Sequence, residues 1–149
     1  MSSRINRMQK LVELADMDLD KAAQTLAALQ EQYVQESSQL EALTSYIEEY
    51  SNQSLNKSIL VTPIQLQTRH GFSEKLRQAV EAQKSKVEQM AEIVEKGRED
   101  WLEKKVRVQS LLALLDKLKL SHQVKLDKQE QRMLDELAAQ SVILRRKNP

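Results

Sequence analysis

The sequence predicts an all-α protein, a long two-helix antiparallel coiled-coil hairpin with unequal arms. Three observations carry this. First, Ile5, Met8, Val12, Ala15, Leu19, Ala22, Leu26, Leu29, Tyr33, Glu36, Leu40, Leu43, Ile47 and Tyr50 follow one another in a strict three-four alternation, and all but Glu36 are apolar. Such an alternation averages about 3.5 residues, so a helix that carries it keeps its stripe facing a partner only by supercoiling left-handedly around another helix. Second, the chain has 30% charged residues but only 2 Gly, 2 Pro and 1 Phe, an excess of helix formers with too little punctuation for a sheet. Third, a second seam follows after one short break: Leu76, Val80, Gln83, Val87, Met90, Val94, Gly97, Trp101, Lys104, Val108, Leu111, Leu115, Leu118 and His122, with Ile93, Leu112 and Leu114 expected to widen the stripe. Seams joined by a short connection place consecutive helices side by side and antiparallel. A single coiled-coil domain over residues 1–149 is therefore expected.

Helix one is expected over about residues 3–52, with Ser2 or Ser3 capping its first turn. At 1.5 Å per residue it is about 75 Å long. The heptad then fails, because Ser54 and Lys57 occupy the next seam positions, and a turn is expected at about 53–61. Thr62-Pro63-Ile64-Gln65 reads as a fresh start. Thr62 is the N-cap, Pro63 takes the first helical position where its missing N–H costs nothing, and Gln65 closes a capping box. Helix two is expected over about 63–145. Its two glycines cost roughly 1 kcal/mol each against alanine, too little to end a helix held by a seam, and Gly71 is where a kink or fraying is expected.

Residue numbers across the hairpin are expected to sum to about 116, placing Leu19 against Gly97, Ala15 against Trp101 and Val12 against the stem of Lys104. Large faces small in the first two layers, as close packing requires. Glu36 and Lys104 are polar seam positions of the kind that fix register and orientation. On that register helix one runs out near residue 4 while helix two continues for about thirty residues, roughly 45 Å. Leu115, Leu118, Leu126, Met133, Leu137 and Leu144 continue an apolar stripe along this overhang. A lone helix of this kind is marginal in water, so a partner is implied, either a second copy or another protein.

The chain carries no motif for chemistry. It has no cysteine, so neither a disulfide framework nor a thiolate metal site exists. It has no Gly-rich phosphate loop, no HExxH and no carboxylate pair that a fold would hold in a cleft. His70 and His122 stand far apart on one helix, which excludes a two-histidine metal site or a histidine-based triad within one chain. No catalytic, cofactor-binding or metal-binding residue is assigned, and no cofactor is expected. A formal charge of +1 argues against nucleic acid as a partner. No stretch approaches 18 uncharged apolar residues, and Met1 to Lys10 lacks the apolar core of a signal peptide, so a soluble cytoplasmic protein is expected. Trp101 reads as a seam filler and His122 as a polar residue ending the seam. Arg145, Arg146 and Lys147 read as a solvated end favourable at a helix C-terminus, with contact to acidic lipid or a partner as the alternative. Tyr46, Tyr50, Phe72 and Leu76 gather beside the turn.

Several short patterns, in order along the chain, resemble the flagellar export protein family FliJ. They are Leu43-x-x-Tyr46-x-x-Glu49-Tyr50, Phe72-x-x-x-Leu76-x-x-Ala79-Val80-x-x-Gln83, Trp101-x-x-Lys104-Lys105 and Met133-x-Asp135-Glu136-x-Ala138. The resemblance implies a non-enzymatic coiled coil similar to the γ stalk of rotary ATPases, working in the cytoplasmic part of the flagellar type III export apparatus. It implies binding to the hexameric export ATPase and its regulator, to the export gate protein FlhA and to export chaperones, with peripheral membrane association through those partners. A virulence-secretion stalk or a structural dimerising coiled coil is the alternative. By position, the family's gate-binding patch near the hairpin tip falls on Gln39, Leu43, Tyr46, Tyr50, Phe72, Leu76, Ala79 and Gln83. The ATPase-binding end, where both termini lie, falls on Ile5, Met8, Val12, Trp101, Lys104, Leu115, Leu118, Met133 and Leu137. Leu19, Leu26, Leu29, Leu40, Val87, Met90, Val94, Val108 and Leu111 remain as seam residues between the two ends.

Overall fold

A computed structural model describes residues 2–56 and 62–147 of the chain. The described residues form two helices, α1 (Ser2–Asn56) and α2 (Pro63–Lys147), of 55 and 85 residues, and contain no strand. The helices pack against each other, and the fold is the expected hairpin with unequal arms. The α2 start is built as its sequence predicts. The Gln65 amide N–H donates to Thr62 Oγ1 at 3.3 Å, the Thr62 N–H donates to Gln65 Oε1 at 3.4 Å, and the Leu66 N–H closes the first turn on the Thr62 carbonyl at 3.0 Å. Two N–H groups that the first turn leaves without helical partners are thereby satisfied. α1 runs one turn beyond the predicted end, through Asn56, because loss of the seam does not by itself break a helix lacking Gly and Pro. Residues 53–56 of the predicted turn are thus helical, and residues 57–61 lie outside the described residues. α2 continues through Gly71 without interruption.

All the predicted seam positions of both helices are buried or half-buried, while the positions between them face solvent almost throughout. Ile93, Leu112 and Leu114, expected to widen the α2 stripe, are exposed. A helix meeting a single partner covers only its a and d positions, and the residues beside that seam stay wet. Contacts divide the chain into two units, residues 20–103 and residues 1–19 with 104–149.

Within the unit 20–103, Ala22 and Val80 are buried apolar residues and Gln83 is the buried polar one. A Cβ built on Gly97 would lie 3.0 Å from a Leu29 methyl and 3.6 Å from a Leu26 methyl. Glycine here lets two leucines close on the α2 backbone. The expected partner was Leu19, so the register differs from the expected one by one heptad. The cause is degeneracy: Leu19 and Leu26 are seven apart, as are Ala15 and Ala22, so large still faces small after a slip of seven. The extra turn of α1 moves the pairing in the direction observed. The Tyr50 and Phe72 rings meet edge to face with centroids 5.0 Å apart, joining the last turns of α1 to the second turn-pair of α2.

Within the unit formed by residues 1–19 and 104–149, Ala15, Val108 and Leu115 are buried, and Ile5, Met8, Val12, Leu19, Lys104, Leu111, Leu118 and His122 are half-buried. Leu115 and Leu118 therefore belong to the paired seam and not to the overhang, again a consequence of the heptad shift. From Gln123 to Lys147 every residue is exposed, about 37 Å of helix. His122 closes the covered seam, and its Nδ1 is buried with no hydrogen-bond partner.

Candidate interaction surfaces

Two shallow depressions are each lined by one helix alone, Leu137, Gln140, Ser141, Leu144 and Arg145 in one, and Leu40, Glu41, Thr44, Ser45 and Glu48 in the other. Among the described residues no group of His, Asp and Glu side chains could hold a metal ion. Among them also, no helix is long and apolar enough to cross a membrane. What the molecule offers to others is surface.

One surface lies in the unit 20–103, where the end of α1 meets the start of α2. The heptad turns Leu43, Tyr50 and Leu76 half inward, while Gln39, Tyr46, Phe72 and Ala79 stand exposed beside them. Seven of the eight residues marked by the family resemblance thus divide into an exposed rim and a packed base. Gln83 is neither, being buried at 6% exposure. Its Nε2 donates to the Glu36 backbone carbonyl at 2.9 Å and to Glu36 Oε2 at 2.5 Å. This pair supplies each helix with a polar partner inside an apolar seam. Sequence reasoning marked Glu36 as a register residue and missed that Gln83 answers it; two polar side chains at seam positions of facing helices were the available signal. It also missed Ile64 and Leu66, which are exposed in the first turn of α2 and lie off the seam, where periodicity gives no mark.

The second surface lies in the other unit. Ile5, Met8, Val12, Lys104 and Leu118 are half-buried there and Leu115 is buried, all directed into the seam. Trp101, which belongs to the unit 20–103, is half-buried at its own seam position, as a filler would be. Of the nine residues assigned to this end, only Met133 and Leu137 are exposed, at 64% and 60%. They share the free stretch of α2 with Val124, Leu126, Leu134, Val142, Ile143 and Leu144, all exposed. An exposed apolar series of this extent is the kind of surface that proteins use for interaction.

The family model described as flagellar FliJ protein matches residues 3–147. No curated protein and no solved structure matches the chain.

Proposed function

The chain belongs to the flagellar FliJ family, a family of non-catalytic, export-related stalk proteins, and on that premise we propose how it works. It is a single coiled-coil domain of the type III export apparatus, cytoplasmic and held at the inner membrane by its partners. The free stretch of α2, with the paired end next to it, binds the hexameric export ATPase, promoting ring assembly and ATP hydrolysis. The surface around Tyr46 and Phe72 binds the export gate protein FlhA, and export chaperones and the ATPase regulator dock on the same protein. No reaction is assigned to it, and no nucleic acid partner.

The observation that carries this reading is the inequality of the arms. α1 ends its pairing near His122, and the remaining turns of α2 expose Leu126, Met133, Leu137 and Leu144 with nothing among the described residues to cover them. A helix in that condition is stabilised by a second molecule. Two binding surfaces on one protein also allow the state of one partner to bias the other, which is coupling in the thermodynamic sense. The test is truncation after His122, with the seam left whole. ATPase stimulation is expected to fall to the unstimulated level while FlhA binding is retained. Equal loss of both, or loss of neither, would refute the two-surface reading.

A further inference from the structure

Beyond its export role, we propose that the end of α2, from Leu137 to Lys147, docks on an anionic lipid surface whenever the ATPase does not occupy it. The free stretch of α2 changes character along its length. From Lys125 to Glu136 its charges are mixed, with Asp127, Glu130, Asp135 and Glu136 among Lys125, Lys128 and Arg132. From Leu137 onward there is no acidic residue at all, and the last turn carries Arg145, Arg146 and Lys147.

The apolar residues of this end are not confined to one stripe. Leu137 and Leu144 lie on one side of the helix, Ala138 and Val142 about a third of a turn away, and Ala139 and Ile143 about a third of a turn further, at 100° per residue. Leu137, Val142, Ile143 and Leu144 are exposed at 60%, 51%, 54% and 62%. A groove on a protein covers one face of a helix and leaves the others wet. A helix end with apolar side chains in three directions, broken only by Gln140 and Ser141 and followed at once by three cations, suits a deformable, negatively charged medium better than a groove that covers a single face. The interfacial region of an anionic bilayer has both properties: acyl chains receive the apolar side chains, and the Arg and Lys stems reach back to the headgroups. Apolar insertion or a basic cluster alone gives weak, reversible attachment, and the two together give useful affinity.

The test uses the full chain and vesicles of phosphatidylcholine, with and without phosphatidylglycerol, in a co-sedimentation assay. Binding to the anionic vesicles alone is expected, weakening as salt is raised. Each basic residue near such a surface is worth about a fivefold change in partition, so the triple variant R145Q/R146Q/K147Q is expected to bind on the order of 100-fold less. The variant I143S/L144S, which keeps the charges, is expected to lose binding as well, and circular dichroism on both variants checks that the helix is retained. Equal binding to both vesicle types, no binding to the anionic ones, or binding that survives both sets of substitutions would overturn the proposal. ATPase stimulation measured without lipid tests the export reading independently, so the failure of one is distinguishable from the failure of the other.

Discussion

At Gly97 the two helices approach more closely than an alanine methyl comfortably permits, since its Cβ would stand 3.0 Å from Leu29. Gly71 makes the opposite case, with nothing within 4 Å of the same added atom. Both glycines weaken a helix interior by roughly 1 kcal/mol relative to alanine, so the two substitutions separate propensity from packing. Gly71→Ala is expected to raise stability by about 1 kcal/mol in urea unfolding. Gly97→Ala is expected to gain markedly less, because the Leu29 methyl must move, and Gly97→Leu to destabilise. The Gln83–Glu36 pair is the other residue-scale determinant. Gln83→Ala leaves the Glu36 carboxylate without its donor at a cost of about 1–3 kcal/mol. The double variant Q83L/E36L is expected to recover that loss in thermal unfolding. Spin-label distances in it are expected to broaden, since an apolar seam without polar partners tolerates slipped registers. A single sharp distance would show that the pair does not set the register.

At the level of elements, the Thr62–Gln65 capping box is the most local device and was fully legible, because it depends on four consecutive residues. Thr62→Ala is expected to cost about 1 kcal/mol, visible as faster amide exchange in the first turn of α2. The seams were legible for the same reason of regular spacing, and every seam residue named from periodicity is covered in the structure. Two features were not legible. The end of α1 was placed a turn early, because Ser51, Asn52 and Gln53 carry no seam residue and yet have no reason to leave the helix. The register followed that error by a heptad, since a repeat of seven looks the same after moving by seven. The contact that distinguishes the two alignments, Tyr50 with Phe72, depends on rings near the turn, where periodicity is silent. Of the candidate sites, exposure could be read only where a residue lay off the seam, as for Tyr46, or on the overhang beyond the paired stretch, as for Met133 and Leu137. Gln83 was named both as a seam position and in the tip patch, and its burial against Glu36 decides for the seam.

For the molecule as a whole, burial is thin. Among the described residues no large side chain is fully buried, so stability is spread along the seam with no centre to lose. The contribution of each end then follows from what it covers. Truncation after His122 removes, among the described residues, only exposed ones and is expected to leave the thermal midpoint within a few degrees of the full chain's. Removing residues 1–19 strips the cover from Val108, Leu111, Leu115 and Leu118 and is expected to lower the midpoint well beyond that, with aggregation through the uncovered leucines. Calorimetry on the two truncations decides the point; similar losses would mean that the free stretch is packed in solution.

The recurrence of leucine and alanine seven positions apart, which hid the true alignment of Gly97, has a consequence for length. A pair of toothed racks re-engages after sliding by one whole tooth and jams at any fraction of it. Additions or losses of seven residues in one arm leave the teeth meshed and merely lengthen or shorten the part that projects beyond the mesh. Changes of two or five turn the stripe away from its partner. Chains built on this plan can therefore vary their reach in whole steps of about 10 Å without redesigning the grip.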